Sequence, residues 1–279
     1  MGYDPLTAAK LAAGKYLPLL AKSFSGVSPR VRAVHELYSV MGLFRGRACV
    51  RLVSDHKNIT GLRVLDFGCG DGGFAAAFAE AGAEVTALDY NDDRIERLTA
   101  LMDDLGLKVE FIADRNYGAT LASGRFDVII CNDVIEHVDE PQAMVAAQAR
   151  LLAPDGLLYL VSPSRFSLRN LWSDPHYQLF GVSLMGRKWG TWYTVSVRRA
   201  VGRYTVHHLY RFGEIISVYR RAGVQLTCAS DDELRKRMRL RDFSTGWRRA
   251  LAAVLPEEPT VWFHRHFIRP SWVFIGRKS

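Results

Sequence analysis

Three apolar runs in the first half of this chain each end in an aspartate: Leu62-Arg-Val-Leu-Asp66, Val85-Thr-Ala-Leu-Asp89 and Val109-Glu-Phe-Ile-Ala-Asp114. The first passes directly into a glycine-rich turn, Phe67-Gly-Cys-Gly-Asp-Gly-Gly73. Carboxylates gathered in this way accept hydrogen bonds from hydroxyl and amino groups and offset positive charge. The ligand they suit is therefore rich in such donors and carries a cationic centre. A second set of residues can move protons. Glu136 and His137 follow the apolar run 126–131, and His207 and His208 precede a later helical stretch. Imidazole titrates near neutrality and is the usual general acid or base there. His137 reads equally well as a residue that caps or packs the helix beginning at that point.

The glycine turn admits two ligands. Gly68, Gly70 and Gly73 satisfy the spacing G-x-G-x-x-G, and Asp89 lies about 20 residues beyond, as in dinucleotide-binding sites. A pyrophosphate seated on the following helix N-terminus would be repelled by Asp66, just before the turn, and by Asp71 within it. An ammonium or sulfonium group would be attracted.

These residues are positioned by a strict rotation of strands and helices. Strands are expected at 62–66, 85–88, 109–113, 126–131 and 157–162, helices near 72–81, 91–105 and 140–152, and a turn at Ala153-Pro-Asp-Gly156. Such alternation implies right-handed crossovers and a parallel sheet, and in open parallel sheets the ligand crevice lies at the strand C-termini. Two helical stretches, 6–22 and 30–53, come first, separated by the breaker Ser25-Gly-Val-Ser-Pro29. After Ser162 the rhythm stops: the segment 163–206 is dense in aromatics and glycine, as binding insertions often are. Regularity returns with a helix over 212–222, a strand over 224–229, a basic helix over 231–254 and a last strand at 260–267 or 272–275. The expected fold is α/β: a seven-stranded, doubly wound, mostly parallel sheet with helices on both faces, a helical cap over 1–60, and a main domain over 61–279 that carries an aromatic lid at 163–206.

Composition agrees with a folded protein. The chain has 279 residues, 48% of them hydrophobic, and its apolar runs are far shorter than the roughly 20 residues of a membrane-spanning helix. Without a basic leader before an apolar stretch, a cytoplasmic protein is expected. Cys49, Cys69, Cys131 and Cys228 stand far apart, as small buried hydrophobes do in a reducing compartment. Charge is uneven. Residues 61–163 carry 7 basic and 18 acidic side chains, whereas 187–279 carry 19 basic and 7 acidic, so an anionic partner would meet the flanks.

The ordered motifs resemble those of the class I S-adenosylmethionine-dependent methyltransferases, and among them the small-molecule O-methyltransferases of the ubiquinone-biosynthesis type. Val64-Leu-Asp-Phe-Gly-Cys-Gly-Asp-Gly72 is similar to the family's first motif, Ala87-Leu-Asp-Tyr-Asn91 to its second and Phe111-Ile-Ala-Asp114 to its third. The stretch from Phe126 through Asn132, Asp133, Glu136 and His137 looks like the fourth, and Leu151-Leu-Ala-Pro-Asp-Gly-Leu-Leu158 stands where the family has a Pro-Gly-Gly turn. The likeness is strong over 62–162 and weaker after His208. It implies S-adenosylmethionine as cofactor. Gly68, Gly70 and Gly72 would let the backbone approach its methionine portion, and Asp66 would hold the ammonium group directly or through water. Asp89 would accept from the ribose hydroxyls and Asp114 from the adenine amino group, with Tyr90 or Arg115 flanking the ring and Asn132 in the same pocket. The methyl group would pass to an oxygen, less readily a nitrogen or carbon, of a small-molecule, sugar or lipid-linked acceptor faced by His137, Glu136 and His208. Some relatives bind a divalent ion near this stretch, but one Glu–His pair assigns no metal here. Other activities compatible with these motifs are an RNA methyltransferase, an NAD-dependent oxidoreductase and a non-catalytic cofactor-binding partner protein.

The additions carry two open choices. The aromatics of 163–206 either wall the acceptor or form a satellite core. In the late helix, Leu240, Phe243, Trp247, Leu251 and Val254 make one apolar stripe opposite Arg235, Lys236, Arg237, Arg239, Arg248 and Arg249. Such a helix docks on its own domain or touches an anionic membrane surface peripherally. No recognisable RNA-binding module accompanies the basic flanks, so nucleic acid is not the favoured partner.

Overall fold

Alternation within the central strands decides how the layers form. A computed structural model describes residues 5–23, 27–91, 93–240, 246 and 255–279. Its strands are β1 (Arg63–Phe67), β2 (Glu84–Asp89), β3 (Glu110–Ala113), β4 (Phe126–Asn132), β5 (Leu152–Pro163), β6 (Val224–Cys228) and β7 (Ser271–Lys278). They form one seven-stranded sheet in the order β3-β2-β1-β4-β5-β7-β6. All neighbours are parallel except β7, which runs antiparallel to both β5 and β6. Successive side chains point to opposite faces. Val64, Val128, Ile130, Leu157 and Tyr159 thus enter one apolar cluster, while Leu65, Ile129, Cys131, Leu158 and Leu160 enter the other. A sheet buried on both sides needs helices on both sides.

The first cluster is covered by α5 (Gly73–Glu80) and α6 (Asp93–Leu105), and the second by α7 (Pro141–Leu151) and α10 (Phe212–Arg221). The four cysteines are free and buried. The expected turn at 153–156 is absorbed into β5 as an irregularity: Phe126 pairs with Leu152 and Val128 with Leu157, so 153–156 bulge out of register.

The N-terminal stretches break into four helices rather than two: α1 (Pro5–Ala13), α2 (Tyr16–Ser23), α3 (Pro29–Val40) and α4 (Gly42–Ser54). The break at Gly14 has a clear cause, because the Lys15 and Tyr16 N–H groups donate to Asp104 of α6 at 3.0 and 2.9 Å. Leu11, Tyr16, Leu20, Leu43, Cys49 and Val53 share the first cluster with the sheet. α4 lies so close to α5 that a Cβ on Gly73 would stand 2.5 Å from the Gly42 carbonyl carbon, and one on Gly46 2.8 Å from the Gly73 oxygen. Arg47 adds two bonds of 2.7 Å to Glu80 across the same contact.

The insertion contains the short helices α8 (Leu168–Trp172) and α9 (Arg187–Thr191) and a small core of its own in which Tyr177 stacks on Tyr204 with ring centroids 5.0 Å apart. Trp172, Phe180, Trp189 and Trp192 stay exposed, so only part of the aromatics enters that satellite core. Farther on, α11 (Ala229–Leu240) is followed by a helix over Glu257–Phe263. The last strand is therefore the second of the two placements considered; residues 260–267 are helical. Of the apolar stripe, Phe243, Trp247, Leu251 and Val254 lie outside the described residues, as do Arg248 and Arg249. Arg235 and Arg239 are held by Glu258 and Glu257 in bidentate pairs of 2.8–3.1 Å, which neutralises part of the basic face of that helix.

Gly73→Ala should force backbone apart at the α4–α5 contact and lower unfolding free energy by about 1–3 kcal/mol. Urea denaturation followed by circular dichroism checks this, and an unchanged midpoint contradicts the close approach.

Candidate active site

Strand order reverses between β1 and β4, and the segments leaving those two strands face each other across the resulting crevice. The glycine turn after β1 is tied to the end of β2. The Gly68 and Cys69 N–H groups donate to the Leu88 carbonyl at 2.7 and 3.1 Å, and the Gly70 N–H donates to Asp89 Oδ2 at 3.0 Å. Asp89 Oδ1 accepts from the Asn91 N–H at 3.1 Å. Each oxygen of this carboxylate, which is 4% exposed, keeps a further lone pair for a ligand hydroxyl. The turn requires glycine: φ is +75° at Gly68, and a Cβ there would meet Val134 at 2.6 Å.

Asp66 is buried beneath the turn, where Oδ2 accepts from the Ala75 N–H at 3.0 Å in the first turn of α5. Burial, together with the charge of Asp89, pushes its pKa up to about 7 against the pull of that N–H. Asp71 does not provide the free negative charge expected of it. Arg97 Nε lies 2.7 Å from Oδ1 and Ser39 donates to Oδ2 at 2.6 Å, with Arg94 at 3.6 Å. Burial alone would raise its pKa, but Arg94 and Arg97 outweigh burial and lower it. The negative charge left beside the turn therefore falls to Asp89 and to the ionised form of Asp66. Asp114 closes a local turn, accepting from the Asn116 and Gly118 N–H groups at 2.6 and 2.9 Å, while Tyr90 and Arg115 are exposed beside it.

Across the crevice, Asn132 Nδ2 donates to the Tyr38 hydroxyl and to Asp133 at 3.2 and 3.1 Å. Tyr38 in turn donates to Asp133, whose φ of +54° places a non-glycine residue in left-handed backbone. Arg45 stacks 3.6 Å from the Tyr38 ring centroid and reaches Asp133 at 3.5 Å. Tyr38 and Arg45 carry no sequence signal beyond their helices. Only the packing of α3 and α4 over the crevice brings them to Asp133, which follows β4.

Glu136 is 0% exposed, and neither of its carboxylate oxygens has a hydrogen-bond partner among the described residues. Burial pushes its pKa up to about 8, aided by Asp133 and opposed by His176. The histidine grouped with His137 is His176, from the insertion: the ring centroids are 5.0 Å apart, and the Nε2 atoms of His137 and His176 lie 4.0 and 3.8 Å from Glu136 Oε1. His208 lies elsewhere, about half exposed, with Nε2 3.5 Å from Glu214. It keeps a link to the site only through its backbone N–H, which with that of His207 donates to the Glu136 carbonyl. His137 Nδ1 sits 2.9 Å from the Thr205 carbonyl, a contact that requires Nδ1–H and leaves Nε2 as the acceptor. Burial and His176 lower the His137 pKa to about 3, against the Thr205 carbonyl. Its ring is oriented for proton acceptance yet is weakly basic at rest. Asp174, 3.9 Å from His176 Nδ1, raises the pKa of that histidine against burial, with help from Glu136.

The lone Glu–His pair of the sequence thus gains a third donor. Ligand atoms of Glu136, His137 and His176 lie within 4.8 Å of one another, and two imidazoles with one carboxylate form a set that can hold a divalent transition ion. The buried, unpartnered carboxylate fits such an ion.

Comparison with known proteins agrees with this geometry. A family model described as a methyltransferase domain matches residues 41–228. The ubiquinone biosynthesis O-methyltransferase of Bordetella avium is 31% identical over 60% of this chain and 64% of its own length. That of Xanthomonas oryzae is 37% identical over 40% of this chain and 48% of its own. The chain therefore spans between about half and just under two thirds of these curated relatives. A crystal structure of an S-adenosylmethionine-dependent methyltransferase from Mesorhizobium loti superposes with a TM-score of 0.51 at 17% identity, covering 82% of this chain and 96% of that one, which supports the fold. The residues fit the cofactor, since the glycine turn leaves room where a Cβ would clash and Asp89 offers two acceptors beside it. With that turn, this strand order and a family match over most of its length, the chain belongs to the class I S-adenosylmethionine-dependent methyltransferases and its cofactor is S-adenosylmethionine.

Proposed function

We propose that the protein transfers a methyl group from S-adenosylmethionine to a hydroxyl oxygen of a small-molecule acceptor. The observation that carries this reading is the meeting of Asp89 and the glycine turn with the Glu136–His137 pair across one crevice. When bound, S-adenosylmethionine supplies a sulfonium methyl that is already activated, so the protein's task is mainly alignment, an effect on the order of 7–11 kcal/mol. Asp89 holds the ribose hydroxyls. Asp66 stabilises the cationic methionine end from beneath the turn, and Asp114, with Tyr90 or Arg115, borders the adenine. Asn132, held by Tyr38, lines the wall between cofactor and acceptor.

His137 Nε2 takes the acceptor's hydroxyl proton, and the ionised form of Glu136, 4.0 Å away, stabilises the imidazolium that results. His208, set toward Glu214, is a weaker candidate for acceptor contact than His176. The segments 1–60 and 163–206 act as cap and lid. This is supported by His35 of α3, whose Nε2 lies 2.8 Å from the His176 carbonyl, and by the Tyr38 contacts described above. A sugar or a lipid-linked intermediate is the narrower form of the acceptor, and the ubiquinone-type relatives lend support to a hydroxylated ring on a lipid tail.

Three outcomes are expected. Asp89→Ala should weaken S-adenosylhomocysteine binding by about 100-fold in calorimetry, the loss of roughly two hydrogen bonds to a charged group, whereas His137→Ala leaves the affinity close to wild type; equal losses refute the division of roles. Cell-extract fractions incubated with labelled S-adenosylmethionine should yield a product one methylene heavier, at a rate lowered about 10²- to 10⁴-fold in His137→Ala; label appearing on no fraction in the wild type rejects methyl transfer. The third concerns pH. Glu136 binds its proton more tightly folded than unfolded, so its contribution to stability is complete below pH 4.5 and is lost as pH rises through about 8. In chelator-treated protein this gives a decline of up to about 1.4 kcal/mol per pH unit, which Glu136→Gln should make shallower in thermal melts. An unchanged slope counts against a buried, protonated Glu136.

A further inference from the structure

Between the insertion and the segment that leads into α10 lies a small hollow of about 30 Å³, lined by Arg165, Ser183, Tyr204, His207, His208 and Leu209 among others. Two donors in its wall are unsatisfied. Ser183 is 2% exposed, and its hydroxyl has no hydrogen-bond partner. Arg165 is half-buried: Nη2 donates to the Leu184 carbonyl at 3.3 Å, but its buried Nε–H has no partner. Among the described residues the guanidinium meets that carbonyl and the Phe166 ring, 5.9 Å away, and neither carries negative charge. Asp139 and Glu214, which the His207 and His208 rings meet at 2.6 and 3.5 Å, stand outside the wall. Asp174 is the single acid from Arg165 to Arg211, and it is turned inward to the His176 and Tyr177 N–H groups.

The hollow backs on the acceptor lip. The His207 and His208 N–H groups in its wall donate to the Glu136 carbonyl, and the preceding Thr205 carbonyl meets His137 Nδ1 at 2.9 Å. Tyr204 stacks on Tyr177, whose ring centroid lies 6.0 Å from that of His176.

A guanidinium is always charged and can only donate, and burying a donor without an acceptor is costly. Water would satisfy the donors yet leave the charge unbalanced. A carboxylate does both, and its planar pair of oxygens matches the guanidinium fork. We infer that Arg165 and Ser183 form a subsite that holds a carboxylate carried by the acceptor, so that acidic acceptors are selected over neutral ones of the same shape. The hollow admits such a group but no ring, which leaves the body of the acceptor outside it, toward Glu136 and His137. The inference rests on the proposed methyl transfer in taking the ligand to be the acceptor; anion binding in the hollow is measured without turnover.

Formate is the probe for the hollow. Titrated into the full chain in place of chloride at fixed ionic strength, it should raise the melting temperature by about 2–4 °C. Arg165→Gln combined with Ser183→Ala should abolish that rise and leave S-adenosylhomocysteine affinity at its wild-type value. No rise, or a rise that persists in the double variant, overturns the subsite and leaves a hollow filled by water. The labelled product formed in cell extract should be retained on an anion exchanger at neutral pH, and formate should compete with the active fraction. A neutral product, or formate binding without competition, assigns the hollow to a free anion and overturns the link to the acceptor. Label on no fraction rejects methyl transfer and that link together, whereas the formate shift stands apart from it.

Discussion

The reversal of strand order between β1 and β4 is the constraint on which the site depends. Parallel strands on either side send their connections to opposite faces of the sheet, so the two outgoing segments part and leave a crevice. One lip is the glycine turn, stitched to Leu88 and Asp89 of the neighbouring strand. The other carries Asn132, Asp133, Glu136 and His137. Neither lip makes a site alone, and the sheet fixes the distance between them.

Electrostatics separates the two lips. At the glycine turn Asp71 is spent on Arg97 and Ser39, which leaves Asp89 and the ionised form of Asp66 as the negative charge there. On the opposite lip a carboxylate with no hydrogen-bond partner among the described residues sits between two imidazoles. Burying such a group is costly unless it is protonated or paired. Raising one acid and depressing the neighbouring histidine is the arrangement by which an enzyme divides proton donor from proton acceptor.

Much of this was legible in the residues. Strand ends within a residue of Asp66, Asp89 and Asn132 follow from short apolar runs closed by polar residues, and the order of motifs carried the fold with them. What escaped reading depended on contacts between remote segments. The break at Gly14 needs Asp104, which lies in a helix of another region. Residues 260–267 look like a strand because they are rich in aromatic and β-branched side chains, yet the ion pairs to α11 and the packing of Val261 favour a helix. His176 was visible as a residue but not as a neighbour of Glu136, since nothing in an irregular segment announces where it folds back. His208 drew attention through its position before a helix, and the structure gives its ring to Glu214 instead.

The glycine contact between α4 and α5 bears on how the two halves of the site communicate. Backbone lies against backbone there, with no side chain between to yield. α5 begins at the cofactor turn, and α4 continues from the helix that supplies His35 and Tyr38 to the opposite lip. A shift at this contact cannot be taken up by side-chain rearrangement, so α4 and α5 form one stiff support beneath both lips of the crevice.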